Sequence, residues 1–359
     1  MSKQRIEEAL RGDKSNKIFA PFLAYYWDFL PEAVRKKGET EYCNNVLKCD
    51  SLLRGAAMAW KVQYDQYAVE ERVEDQIKSI IYRTPLGELK FVYKYADVSN
   101  SWFLIKHPVK TELDFEILKY IFIHTHICED IDNLNKLYKS IGDSALLVPV
   151  IGLRCKSAYQ DLCENWCGLQ NLVEAMCDFP DKVEECITEL RRINLETVKI
   201  TARALPEYCI SWEDSTTMFV SPSMYEKYII DELNEWCDIL HANGKKYILH
   251  ACGHIQNLLP IIAKSKIDVL ESITPAPVGD ADLKYADEIL PDNIAIIGGI
   301  DGITLKNSSK KEILKKVDEL YQIFRKRGYV LANSDSCPPE VKEESLKTIS
   351  EYVSKNLKK

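Results

Sequence analysis

From about residue 144 onward, short apolar runs alternate with amphipathic helices without a break, and this regularity limits the possible folds more than any other feature. The runs are ALLVPVIG (145–152), EYCISWED (207–214), KKYILHACG (245–253), IDVLESIT (267–274), NIAIIGGID (293–301) and GYVLANSD (328–335). Between them lie segments such as PSMYEKYIIDELNEWCDILHANG and SSKKEILKKVDELYQIFRKRG, with Ser or Pro at the start and Gly at the end, which are helix start and stop signals. Strict alternation of strand and helix implies a parallel sheet. Six such strands, one near residue 20 in IFAPFLAYYWDFL (18–30), and one before or around residue 65 make eight. Eight is the count of an α/β (β/α)8 TIM barrel. The alternative, an open doubly wound sheet, lacks here its G-x-G-x-x-G turn after an early strand.

The first third departs from this rhythm. Residues 1–16 read as a polar leader helix that breaks at Gly12. Residues 50–66 carry helical spacing, with Leu52, Leu53, Ala56, Ala57 and Trp60 on one side. Residues 69–110 contain β-type segments, IKSIIYRT and LKFVYKYA, joined by PLGE, and read as a β-hairpin insertion that would serve as a lid, a docking surface or a dimer contact. Residues 112–141 return to helix. The expectation is a single barrel domain over 1–359, since 359 residues suit one closed barrel.

A net charge of −8 argues against nucleic acid as a partner, because phosphate binding needs clustered Lys and Arg. No run of 18 apolar residues exists, so no membrane partner is expected. The polar start, MSKQRIEEALRGDK, has no apolar signal core, and a cytoplasmic location is expected. In a reducing compartment the twelve cysteines read as buried thiols, catalytic groups or metal ligands rather than a disulfide frame.

Barrel chemistry gathers at the C-terminal ends of the strands. Those ends carry Glu213 and Asp214, His250, Cys252 and His254, Glu271, Asp301, and Asn333, Asp335 and Cys337. His250 and Cys252 are i and i+2 on a strand, so both face one side. Cys337 follows the last strand, which lies beside the first when the barrel closes. One His and two Cys would then form a three-ligand zinc set, with a fourth position for Glu, water or substrate. Two thiolates lower the Lewis acidity of the metal but favour the nucleophilicity of a bound substrate thiolate, which points to sulfur chemistry rather than hydrolysis. The plainer reading of the same residues is buried core cysteine. Cys163 and Cys167 in CENWC read as buried free thiols. His124, His126 and Cys128 diverge on a helix and read as unrelated. His254 reads as a capping or solvent residue.

LHACG (249–253), LESITPAPVGDADL (270–283), GGID (298–301), NSDSCPP (333–339) and the leader RGDKSNKIFAPF resemble the uroporphyrinogen decarboxylase superfamily, within it the corrinoid-dependent methyltransferase branch. The resemblance implies a (β/α)8 barrel and zinc bound through His250, Cys252 and Cys337. The motif does not fix the fourth ligand: Glu213 and Glu271 both stand at suitable strand ends, and water is the third choice. The N-terminal Arg, Gln, Ala, Gly and Arg pattern of the decarboxylase itself is missing; AYYWDF stands at 24–29 instead. The implied reaction moves a methyl group between a small molecule, either a thiol acceptor or a methoxylated or methylated donor, and cobalamin carried by a corrinoid-binding partner protein. Tyr25, Tyr26 and Trp27 would wall a substrate pocket or shield the corrinoid, or would be plain core. Glu213, Asp214, Asp301 and Asp335 are the candidate catalytic carboxylates, to orient His250 or shuttle protons. Asp301 has a competing role as a helix cap, and Asp335 as a solvated loop residue. A homodimer is an expected assembly. The rival expectations are a metal-free lyase like the decarboxylase, and a non-catalytic docking partner of a corrinoid protein.

Overall fold

A computed structural model describes residues 2–13 and 17–356. In chain order the strands are β1 (Leu52–Arg54), β2 (Trp60–Tyr64), β3 (Ala68–Glu74), β4 (Ile77–Thr84), β5 (Gly87–Ala96), β6 (Ser101–Lys106), β7 (Thr125–Glu129), β8 (Leu146–Val148), β9 (Tyr208–Glu213), β10 (Lys246–Ala251), β11 (Val269–Ile273), β12 (Ala295–Ile300) and β13 (Tyr329–Asn333). The chain forms two compact units where the sequence suggested one barrel domain with a hairpin at 69–110. The first comprises Met1–Ala57, Asp132–Val150 and Ala204–Lys359; the second comprises Met58–Ile131 and Ile151–Arg203. The physical reason lies in their separate cores: Phe19, Tyr225, Trp236, Tyr247 and Phe324 are fully buried in the first, and Phe91, Phe115, Phe122, Tyr159 and Trp166 in the second.

The first unit is the (β/α)8 barrel. Strands β9 to β13 are parallel neighbours in sequence order. Val150, just past β8, bridges Ile210 of β9, and β8 pairs in parallel with β1. Phe19 bridges Leu331 of β13, and its carbonyl accepts from the Asp50 N–H at 2.9 Å just ahead of β1. The segment around Phe19 is therefore the eighth stave and closes the ring. Strands β11, β12 and β13 are buried along their whole length, as a sheet covered on both faces must be. Helix starts follow the local chemistry. Ser309 and Glu312 form a reciprocal capping box on Lys310–Ile323, and Asp282 caps Leu283–Ile289. The leader is a helix over Ser2–Leu10, and of its expected span, residues 14–16 lie outside the described residues.

Two sequence expectations change here. Residues 50–66 are not helix: Leu52 and Arg54 are buried against β8, Gly55 turns the chain at φ +68°, and β2 follows. Short apolar runs satisfy a helical and an extended pattern equally, and the tertiary pairing with β8 decides. Residues 112–141 are not continuous helix either. Glu112–Ile123 and Ile131–Ile141 flank β7, which pairs antiparallel with β2.

In the second unit the expected hairpin is β4 and β5, joined by a tight turn with Thr84 opposite Gly87. It is the middle of a four-stranded antiparallel sheet, β3-β4-β5-β6. Leu89 and Phe91 are buried on β5 and alternate with exposed Glu88 and Lys90, as in a sheet with one covered face. No helix among the described residues is long and apolar enough to cross a membrane.

Candidate metal centre at the C-terminal mouth of the barrel

Register assembles the site. In the parallel ladders His250 of β10 is level with Trp212 of β9 and Glu271 of β11, and Ala251 is level with Glu213. One step further on, Asp214 and Cys252 leave their strands side by side. The period of two returns both to the side that carries His250. The Cys252 thiol donates to Asp214 Oδ1 at 3.2 Å. Asp214, His250 and Cys252 each offer a ligand atom, all within 4.8 Å of one another, the one such grouping found among the described residues.

Behind the imidazole stands a buried charge relay. His250 Nδ1 is hydrogen-bonded to Glu271 Oε2, and the Arg54 Nε lies 3.0 Å from Glu271 Oε1. The latter is a close ion contact without the angle of a hydrogen bond. Arg54 also donates to the carbonyls of Pro21 (3.3 Å) and Ala20 (3.1 Å). Burial works against all three charges. Burial lowers the His250 pKa, but the charge and hydrogen bond of Glu271 outweigh it and hold the imidazole above its ordinary value. Burial likewise raises Glu271, yet His250 and then Arg54 bring its carboxyl below the usual range. In Arg54 burial prevails and the pKa falls. With Nδ1 taken, Nε2 is the nitrogen left for an ion. A carboxylate on the far nitrogen is the usual way to fix the tautomer and orientation of a metal-binding histidine.

Aromatic rings wall the imidazole. Trp212 meets His250 edge-on at 4.9 Å and stacks on Phe22 at 5.5 Å and 12°. Gly55 has no side chain where a Cβ would stand 2.7 Å from Trp212 Cζ2.

The structure separates the other expected site residues. Glu271 is the partner of His250 and Arg54 rather than a member of the ligand grouping, because both its oxygens are committed. Cys337 also lies outside the grouping. Its backbone ties the loop after β13 to the end of the stave around Phe19, donating to the Phe22 carbonyl and accepting from the Tyr26 N–H, both at 2.9 Å. Burial pushes its thiol up to about 12. Glu213 alternates to the opposite side from Trp212, where it accepts from Ser211 Oγ at 2.9 Å. Asp301 is a helix cap: its two oxygens accept from Thr304 N (2.8 Å) and Thr304 Oγ1 (2.6 Å). Asp335 reaches solvent, but surrounding protein raises its carboxyl pKa against the pull of nearby His250. Tyr25 is exposed, whereas Tyr26 is buried with its hydroxyl 3.0 Å from that of Tyr42, on which Trp27 also packs. The ring that reaches the site from this stretch is Phe22, three residues earlier.

Among the weaker candidates, Cys163 and Cys167 are buried free thiols. His254 is held by its backbone to Thr216 and Thr217. His124 and His126 are not on a shared helix; His126 is on β7, and both rings meet exposed Asp65, at 3.0 and 3.4 Å. Sequence reasoning missed Phe22, Gly55 and Arg54. A lone Arg after two leucines was the available signal, readable only once 52–54 is taken as a strand.

The family model of uroporphyrinogen decarboxylase (URO-D) matches residues 158–356. No curated protein sequence matches the chain. Among solved structures, a B12-independent methionine synthase from Shewanella sp. W3-18-1, in complex with selenomethionine, aligns at 11% identity over 97% of this chain and 99% of that one, with a TM-score of 0.43. A putative vitamin-B12 independent methionine synthase from Listeria monocytogenes aligns at 15% identity over 63% of this chain and 68% of that one, with a TM-score of 0.42. A D-psicose 3-epimerase from Clostridium cellulolyticum H10 aligns at 11% identity over 64% and 84%, with a TM-score of 0.35. Similarity at this level does not extend to function.

Proposed function

Because the chain belongs to the uroporphyrinogen decarboxylase family, whose model covers more than half of it, we propose that it is a zinc-dependent methyltransferase of the corrinoid-dependent branch. It moves a methyl group between a small molecule and cobalamin carried by a corrinoid-binding protein. The observation that carries this reading is the Asp214, His250 and Cys252 grouping at the strand ends, with His250 anchored from behind by Glu271.

The donor set fits zinc. One nitrogen, one thiolate sulfur and one carboxylate oxygen suit a borderline-soft ion, and three protein ligands leave a fourth position open, the pattern of catalytic rather than structural zinc. Zinc bound there supplies Lewis acidity that makes a substrate thiol ionise at neutral pH or polarises the leaving atom of a methyl donor. The chain's own groups do the rest. Glu271 holds the proton on His250 Nδ1 and keeps Nε2 turned outward. Asp214 accepts the Cys252 thiol hydrogen bond, which holds the two side chains beside each other; a cation bound there would favour loss of the thiol proton to solvent. Trp212 and Phe22 exclude water from one side of the imidazole. Asp335, held toward its protonated form near His250, is placed to give or take a substrate proton.

The test is metal content of the purified protein beside Asp214→Asn, Cys252→Ser and Cys337→Ser. The expected result is about one zinc per chain, lost in the first two variants and kept in the third. Loss of methylcobalamin absorbance on addition of a thiol, dependent on Cys252, would then establish the reaction. Zinc-free protein, or zinc indifferent to Asp214 and Cys252, refutes the reading and leaves a metal-free lyase of the family in its place. Zinc lost in Cys337→Ser would show that the loop after β13 closes onto the ion.

A further inference from the structure

The second unit contains a cavity of about 310 Å³ that the metal centre does not use. Its volume sits at the lower end of the range for small-molecule sites, roughly 300–1,000 Å³. Tyr64, Tyr67, Tyr82, Phe122 and Trp166 are its aromatic wall, and Arg154 is the one charged residue lining it. Tyr64 and Val62 at its edge are 43% and 45% exposed, so the cavity is reachable from solvent.

Arg154 is presented to this space with donors to spare. Its guanidinium lies over the rings of Trp166 (4.7 Å) and Phe91 (5.0 Å), which pack edge to face on each other. One terminal nitrogen donates to Tyr82 Oη at 3.1 Å, and Tyr93 is a second hydrogen-bonding neighbour. Five N–H groups exceed what two hydroxyls can take. The nearest carboxylate, Asp161, stays 3.9 Å from Nε and instead accepts from Asn165 Nδ2 at 2.7 Å. The loop that carries Arg154 is built to hold it. Asn194 and Thr197, fully buried on the helix Pro180–Ala202, accept from the backbone N–H groups of Leu153 and Gly152, both at 2.8 Å. Asn194 Nδ2 donates to the Lys156 carbonyl at 3.1 Å. Cys155 takes φ +63°, a strained angle for a non-glycine residue. Two buried polar side chains and one strained residue fix the backbone at 152, 153, 155 and 156, on both sides of Arg154.

We infer that this cavity binds a small aromatic carboxylate, with its ring among the tyrosines and Trp166 and its carboxylate on Arg154. A single planar fork matches a carboxylate, whereas a doubly charged phosphate calls for more cationic partners than this wall has. The inference is independent of the metal reading.

Isothermal titration of the full chain with 2-naphthoate, and with its neutral twin 2-naphthamide, tests it. The acid is expected to bind at one site about tenfold to a hundredfold more tightly than the amide, the difference made by a charge-assisted pair. That preference is expected to collapse in Arg154→Gln, and binding of the acid to vanish in Val69→Trp, which fills the cavity. No binding of the acid, equal affinity for acid and amide, or binding undiminished in Val69→Trp overturns the inference. The acid–amide comparison on the unaltered chain decides the matter even if Arg154→Gln fails to fold.

Discussion

Glu271→Gln is the substitution that most directly tests how the barrel holds its histidine. Glu271 and Arg54 have side chains 1% exposed, so the pair has almost no water to fall back on. Glutamine keeps the volume and still accepts from His250 Nδ1, but its charge is gone. Either its amide N–H groups face the Arg54 donors, or its carbonyl faces them and His250 loses its acceptor. Breaking a buried pair by neutralising one member costs about 3–5 kcal/mol. Arg54 retains the carbonyls of Pro21 and Ala20, which places the loss toward the lower end, about 3 kcal/mol. With a urea m-value of roughly 3 kcal/mol/M, the midpoint falls by about 1 M. Zinc affinity falls separately, by about tenfold to a hundredfold, the usual effect of removing the partner of a metal-binding histidine. The two readouts are kept apart by unfolding the chelator-treated protein in urea, followed by far-UV circular dichroism, and titrating zinc against a competing dye. A midpoint within about 0.3 M of the parent, well inside the expected fall, would refute the claim that Glu271 neutralises Arg54. Complete loss of zinc, equal to that in Cys252→Ser, would show that Glu271 is a ligand and not the support of one.

Gly55→Ala places a Cβ at φ +68° and 2.7 Å from Trp212 Cζ2. Left-handed strain of about 1–2 kcal/mol and overpacking of about 1–3 kcal/mol sum to about 2–5 kcal/mol, read as a lower urea midpoint and partly restored by Trp212→Phe; an unchanged midpoint would mean that the indole is free to move. The Cys337 thiol, raised to about 12 by burial, has less thiolate at pH 8 than an ordinary cysteine by about three orders of magnitude. Iodoacetamide at that pH should modify exposed Cys177 first and reach Cys337 only in denaturant, as peptide mapping by mass spectrometry would show; early labelling of Cys337 in the folded chain contradicts its burial.

Much of the barrel was legible because it is locally encoded. The six late strands appear as apolar runs of eight or nine residues, and caps on helices between them work through neighbours three residues apart, as Ser309 and Glu312 do. The early staves were not legible. Leu52–Arg54 is three residues long, and a pattern that short has no readable period. The same limit hid β7, whose reason for being a strand is β2, some 60 residues earlier in the chain.

The site divides along the same line. The sequence by itself determined that His250 and Cys252 share a side, because the alternation of a strand is a property of the backbone. It also determined that Asp301 stands where a helix cap is needed. The tertiary structure alone decided that Asp214 joins them while neighbouring Glu213 turns away, since that depends on the register between β9 and β10. It decided that Glu271 supports the histidine, because a buried arginine from β1 claims its other oxygen. It also left Cys337 tied by its backbone to the stave around Phe19. Periodicity tells which way a side chain points; only the closed ring of strands determines what it meets there.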